Sequence, residues 1–293
     1  MTNDDPSPDE QSEFPLPVWS RGEPNIAGAT HRGVVRKINQ DAFGRIDDPD
    51  RAEILLIVAD GLGGHRGGEV ASRMAVEQIG ADFLAAAGEA PARLGLAIRQ
   101  ANDAILAESR KNHTLDGMGT TIVGLLLTEE GETWVAHVGD SRLYRMRGGG
   151  IKQLTEDHSL VATLVREGAL APEDARDDPR KNQILRALGV REDVEIDVAP
   201  VETRPGDRFL LCSDGLHGMI DDDAIEALVR SVARPETAVE KLIEAANDAG
   251  GTDNVTCLLA AMPEPPPTEG LREKAMRLFE STRAVFIPRT DGD

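Results

Sequence analysis

The sequence predicts an α+β domain: an antiparallel sheet core with helices packed outside it. Three observations lead there. Apolar runs of strand length share the chain with amphipathic stretches of helix length. The clearest neighbouring strands are separated by short Gly-containing reversals, which makes them hairpins rather than parallel crossovers. Hydrophobic residues are 40% of the chain but aromatics only 3%, so the core is to be filled by Ala, Val, Leu and Ile. At 293 residues this suits one large domain better than two ordinary ones.

The elements follow in order. Residues 1–24, acidic and carrying several prolines, read as a disordered arm. EILLIVAD at 53–60 is a short, β-branched run closing on an Asp-Gly turn, a buried strand. From about 69, Val70, Met74, Ile79 and Phe83 fall near helical spacing. A second helix opens at Pro91 and runs through Ile98, Ala101 and Ile105. The stretch from Thr120 to Thr155 reads as three or four strands of an antiparallel meander, reversed at Glu-Glu-Gly and Gly-Gly-Gly. Residues 155–190 are charged, with one helical stretch near SLVATLVREG, and suggest a flap beside a site. A strand near 194–198, the run DRFLLCSDG, helices at about 221–231 and 235–249, and the strand VTCLLAAM complete the domain near 262. PEPPPTEG reads as a stiff linker, and LREKAMRLFESTRAVF as a short amphipathic tail.

The formal net charge is −20, which argues against a nucleic-acid backbone or an anionic membrane as partner. No run approaches the ~18 apolar residues that span a bilayer. The acidic N-terminus is the opposite of a signal peptide, so a cytoplasmic protein is expected. Cys212 and Cys257 sit in apolar runs and read as inert core thiols.

Three apolar strands end alike: ILLIVAD at Asp60, WVAHVGD at Asp140 and RFLLCSD at Asp214. A fourth aspartate, Asp253, immediately precedes the run NVTCLLA. An Asp-Gly pair alone is an ordinary turn dipeptide. Several at strand ends can converge on one edge of a sheet, where their repulsion calls for shared protons or bound cations. Mg²⁺ and Mn²⁺ take such hard oxygen ligands. Gly61 and Gly215 would let the backbone approach an ion. Arg36, by itself a surface arginine, has the fork of donors that grips two phosphate oxygens. Asp41 in the same segment could orient a water beside an ion.

At these residues the chain resembles the bacterial branch of the metal-dependent protein phosphatase family, the protein phosphatase 2C type. The resemblance spans about residues 27–262 and rests on GVVRKINQDAF (33–43), VADGLGGHRGGEVAS (58–72), GMGTT (117–121), HVGDSRLY (137–144), LCSDGL (211–216) and GGTDNVT (250–256), in the family's order. It implies a four-layer αββα fold, a β-sandwich of two antiparallel sheets flanked by helices, with a flap near the metal site, in a catalytic domain at 25–262. It implies hydrolysis of phosphoserine and phosphothreonine in proteins by a hydroxide bridging two Mn²⁺ or Mg²⁺ ions, reversing a bacterial Ser/Thr kinase. A monomer is expected. By the same resemblance Asp60 bridges the two ions and Gly61 offers its carbonyl. Asp214 and Asp253 complete one shell, and Asp140 with Asp214 holds a third ion. Arg36 binds phosphate and Asp41 orients the nucleophilic water.

Two positions depart from the pattern. Leu62 stands where many eukaryotic relatives carry a histidine assigned as general acid, and His65, three residues on, is no evident substitute. Gln40 stands where relatives often have Glu, which predicts a weaker field at one ion. His31, His113, His137, His158 and His217 have no metal-ligand spacing and read as surface or core residues. Two rival functions remain: a catalytically weak phosphoprotein-binding module, against which the full aspartate set argues, and a phosphomonoesterase for small metabolites.

Overall fold

In the computed structural model, which describes residues 24–63, 67–128 and 132–263, the chain runs through β1 (Asn25–His31), β2 (Asp41–Asp48), β3 (Glu53–Leu62), α1 (Gly67–Ala85), α2 (Ala90–Lys111), β4 (Gly119–Thr120), β5 (Ile122–Thr128), β6 (Thr133–Val138), β7 (Arg142–Arg147), β8 (Gly150–Gln153), α3 (Leu160–Arg166), β9 (Asp197–Pro200), β10 (Arg208–Cys212), α4 (Asp214–His217), α5 (Asp222–Arg230), α6 (Pro235–Asp248) and β11 (Val255–Ala261).

The central strands are apolar without alternation because both of their faces are covered. On β3, Leu55, Ile57 and Ala59 join a core with α1 and α2, while Ile54, Leu56 and Val58 face the second sheet. On β10, Phe209 and Leu211 enter that same inter-sheet layer, and Leu210 and Cys212 pack under α5 and α6. The result is helices, sheet, sheet, helices, as the resemblance implies. One sheet has the order β1-β11-β10-β7-β8, the other β2-β3-β5-β6-β9 with β4 on β3, and every ladder is antiparallel. Fully buried Arg93 of α2 ties the helix layer down, pairing with Glu53 at the start of β3.

The expected meander is corrected at one point. β5 pairs with β6 and β7 with β8, but β6 and β7 lie in different sheets, and the chain crosses between them at Gly139–Ser141. Gly139 makes the crossing with φ +111, and a Cβ there would lie 2.6 Å from the Thr121 side chain. The strand expected near 194–198 begins at Asp197. β1, β2, β4 and α4 were not expected as elements. The flap of 155–190 carries α3 and is fastened at both ends. His158 N–H donates to Gly139 O at 2.9 Å, and Thr120 and Leu188 exchange backbone bonds of 3.0 and 2.8 Å.

Both cysteines are buried, and burial pushes both thiols up. No helix among the described residues is long and apolar enough to cross a membrane. The N-terminal arm, the Glu-Glu-Gly reversal, His65, and the linker and tail beyond 263 lie outside the described residues.

Candidate active site

The sandwich gathers the expected aspartates at one end, drawing them from both sheets. Asp41 opens β2 and is the register partner of Asp60 on β3. Asp214 opens α4 directly after β10, Asp253 lies just before β11, and Asp140 lies in the crossing between sheets. The five act on one another electrostatically.

Each has a defined setting. The Asp60 amide donates to Thr121 Oγ1 at 3.0 Å, and its carbonyl accepts from Thr121 N and Thr120 Oγ1, both at 2.8 Å. Thr121 Oγ1 in turn bonds Ser141 Oγ at 2.7 Å, which links Asp60 to the neighbour of Asp140. Asp41 Oδ2 accepts from Ser213 Oγ and Thr256 Oγ1, each at 2.7 Å, while its buried Oδ1 has no partner. The Asp140 side chain is buried with Oδ1 likewise unpartnered, and its carbonyl accepts from His217 Nε2 at 3.1 Å. Burial drives the His217 pKa down to about 3, so the ring is neutral and donates. Asp253 Oδ2 pairs with the Arg36 guanidinium at 2.6 Å, and Asn254 N donates to Asp253 Oδ1 at 2.8 Å.

Crowding and loss of solvent act together on these acids. Asp41 is pushed up to about 7, first by desolvation, with Asp214 and Asp253 adding to it against the two hydroxyl bonds. Asp140 rises to about 8 and Asp214 to about 6, again first by desolvation and next by Asp214 and Asp253 respectively. Asp60 is raised well above the usual range, first by desolvation and then by the other four aspartates. The Asp60 and Asp214 side chains lie close enough to act on each other, an arrangement that favours a shared proton or a bound cation.

The residues fit a hard divalent cation. Asp41, Asp60, Asp140 and Asp214 are all pushed up, Asp41 and Asp140 with unpartnered buried oxygens, and a cation would offset that crowding and take up the free lone pairs. Gly61 and Gly68 let the backbones of β3 and α1 meet beside Asp60, since a Cβ on Gly61 would lie 2.1 Å from Gly68 O. Gln40 belongs to the same junction: its carbonyl accepts from Gly61 N at 3.1 Å and Ser72 Oγ at 2.6 Å.

Sequence reasoning gave no role to the residues that set this geometry. Asn254 fastens the loop carrying Arg36, its Nδ2 donating to Arg32 O at 2.9 Å and Ile38 O at 3.0 Å, and its Oδ1 accepting from Gln40 N at 2.8 Å. Arg142 grips Asp157 through Nε and Nη2 and reaches Tyr144 OH at 2.8 Å, holding the flap root to β7. Burial raises the Asp157 carboxyl, but the Arg142 charge and hydrogen bonds outweigh it and hold it below the usual range. Asn254 and Arg142 stand inside quoted motifs, but their partners are visible only once the chain is folded.

His137, His158 and Asp197 also meet, with ring nitrogens and a carboxylate oxygen within 4.8 Å, a grouping that no spacing announced. Their polar atoms serve the protein instead. Gly139 N donates to His158 Nδ1 at 3.1 Å, and His158 Nε2 lies between Asp197 Oδ2 at 3.3 Å and Arg186 Nη1 at 3.1 Å. Arg186 Nη1, 3.1 Å from that nitrogen and 3.2 Å from Asp197 Oδ1, already places a positive charge where an ion would sit.

Residues 27–249 match the family model described as Protein phosphatase 2C. The Serine/threonine phosphatase stp of Listeria monocytogenes serotype 4b (strain F2365) is 41% identical over 235 residues, covering 78% of this chain and 92% of that protein. The crystal structure of the Mycobacterium tuberculosis serine/threonine phosphatase PstP/Ppp has a TM-score of 0.75 at 36% identity, covering 83% of this chain and 100% of that one. The structure of the catalytic domain of serine threonine protein phosphatase PstP in complex with 2 manganese ions has a TM-score of 0.73 at 36% identity, covering 83% of this chain and 99% of that one.

Proposed function

The chain belongs to the protein phosphatase 2C family, and from that premise we propose that it hydrolyses phosphoserine and phosphothreonine in proteins at the aspartate cluster between its two sheets. The observation that carries this reading is the convergence of Asp41, Asp60, Asp140, Asp214 and Asp253, with unpartnered buried oxygens, beside Arg36.

Mn²⁺ or Mg²⁺ is the cofactor we assign, since a relative's catalytic domain carries two manganese ions and the donor set here is all oxygen. Asp60 would bridge two ions, with Gly61 O, Asp214 and Asp253 completing their protein ligands, and Asp140 with Asp214 would hold a third. Such ions supply Lewis-acid polarisation of phosphoryl oxygens and acidify water. The chain's own residues do the rest. Arg36 leaves Asp253 and closes its donor fork on the phosphate, orienting the phosphorus. Asp41 is fixed through Oδ2 by two hydroxyls, which leaves Oδ1 as the acceptor that orients the attacking water. Leu62 supplies no proton to the leaving oxygen.

We take residues 25–262 as the catalytic unit, in keeping with the 27–249 match. We infer a monomer, acting in the cytoplasm against a Ser/Thr kinase.

The test is hydrolysis of an aryl phosphate, a phosphothreonine peptide and a sugar phosphate with Mn²⁺, Mg²⁺ or EDTA, by the wild type and by Asp60→Asn and Asp214→Asn. Metal-dependent turnover of the peptide, lost in both variants, is expected. Activity that survives EDTA or both substitutions would sink the metal site. Preference for the sugar phosphate would move the substrate to small metabolites.

A further inference from the structure

Arg36 sits on a loop that also carries three exposed apolar side chains. Val34 is 67% exposed, Val35 64% and Ile38 39%, so three of the seven large apolar side chains exposed among the described residues lie within five positions around Arg36. The exposure is not slack in the loop. Val34 N and Val35 N donate to Gly251 O at 2.8 and 3.2 Å, and Ile38 O accepts from Asn254. Apolar side chains held rigidly in water beside a ligand site mark a contact surface.

We propose that Val34, Val35 and Ile38 form an apolar shelf that receives an apolar side chain next to the phosphorylated serine or threonine of the protein substrate. The inference rests on the phosphatase reading and adds a sequence preference to it. Its occupant follows from continuity. A phosphorylated residue gripped by Arg36 brings its chain neighbours with it, about 3.8 Å away per Cα step, and so within reach of the side chains flanking Arg36. The terminal segments outside the described residues adjoin the other end of these strands: Asn25 and Ala261 are register partners at the far ends of β1 and β11, whereas this loop follows His31 at the near end.

The experiment compares kcat/KM for two phosphothreonine peptides of equal length and charge, one with valine and leucine flanking the phosphothreonine and one with serines there. An aryl phosphate serves as control. The wild type should prefer the apolar peptide roughly tenfold, the value of burying about one small aliphatic side chain. Val34→Ser with Val35→Ser should bring the preference to within about twofold, while Val35→Leu retains it, and neither should alter aryl phosphate turnover. Equal turnover of both peptides by the wild type, or a preference that survives the double substitution, would overturn the shelf and leave the patch to another occupant such as a second copy of the chain. A parallel loss of aryl phosphate turnover would also overturn it, by showing that the valines support the site. If the wild type hydrolyses the aryl phosphate but neither peptide, the protein-substrate reading falls together with the shelf. If it hydrolyses both peptides equally, only the shelf does.

Discussion

The Arg36 guanidinium lies 2.6 Å from an Asp253 carboxylate oxygen, so the residue assigned to phosphate is paired with one assigned to a cation. Each must release the other for the site to fill. The pair is open to water, at 49% and 30% side-chain exposure, so breaking it costs little.

Arg36→Lys keeps the charge and removes the fork. It should lower kcat/KM for a phosphothreonine peptide by about 10- to 100-fold, mainly through KM. The melting temperature should move by less than about 2 °C. An unchanged KM in steady-state kinetics would remove Arg36 from the phosphate site.

The raised carboxyls give the metal-free protein an unusual pH dependence. A folded-state pKa above the unfolded value favours the folded state while the group is protonated, and that stability is lost as pH rises through the folded pKa. Asp214, Asp41 and Asp140, at about 6, 7 and 8, should therefore destabilise the protein as pH rises from 6.5 towards 8.5. The depressed histidines act with the opposite sign, but only below the ordinary histidine range. Asp48, Asp157 and Asp207, which are lowered, act only near and below the ordinary carboxylate range. Melting curves in EDTA should fall by on the order of 5 °C across this window. With saturating Mn²⁺ the fall should vanish, because the ion holds the carboxylates ionised. A flat profile in EDTA would contradict the crowding described for this cluster.

Asp60→Asn removes the most crowded charge. In EDTA the variant should melt above the wild type. With Mn²⁺ it should gain little, and turnover should fall by more than about 100-fold. A wild-type response to Mn²⁺ in differential scanning calorimetry would mean that Asp60 is not a ligand.

Asn254→Ala unfastens the Arg36 loop by removing three hydrogen bonds that span the domain. A loss of about 2–3 kcal/mol in urea unfolding is expected, with a rise in KM larger than the fall in kcat. Retention of both stability and KM would show that the loop is held by its Gly251 contacts alone.

What could be read before folding divides along physical lines. EILLIVAD and RFLLCSD declared themselves because strands covered on both faces need apolar residues at every position. β1 and β2 did not. NIAGATH and DAFGRIDD are small or mixed in character, and both strands lie at sheet edges. The meander failed between β6 and β7 because a crossing at Gly139 has the same local signature as a hairpin turn. The aspartates were visible as strand-end residues, and the resemblance gave each a task. Asn254, Ser213 and Thr256 were not assigned one, since a side chain acting on partners up to 222 residues away leaves no periodic trace.

The two-sheet origin of the site has a last consequence. Asp41 and Ser213 already meet across 172 positions of chain, and Asp60 and Asp214 approach each other beside them. An ion shared by those carboxylates would act as a reversible cross-link between the sheets, removing freedom from partly opened states much as a disulfide does in a secreted domain. The two cysteines, both free and buried, offer no such bond. Metal supply would then govern how long the protein survives a protease as well as how fast it turns over.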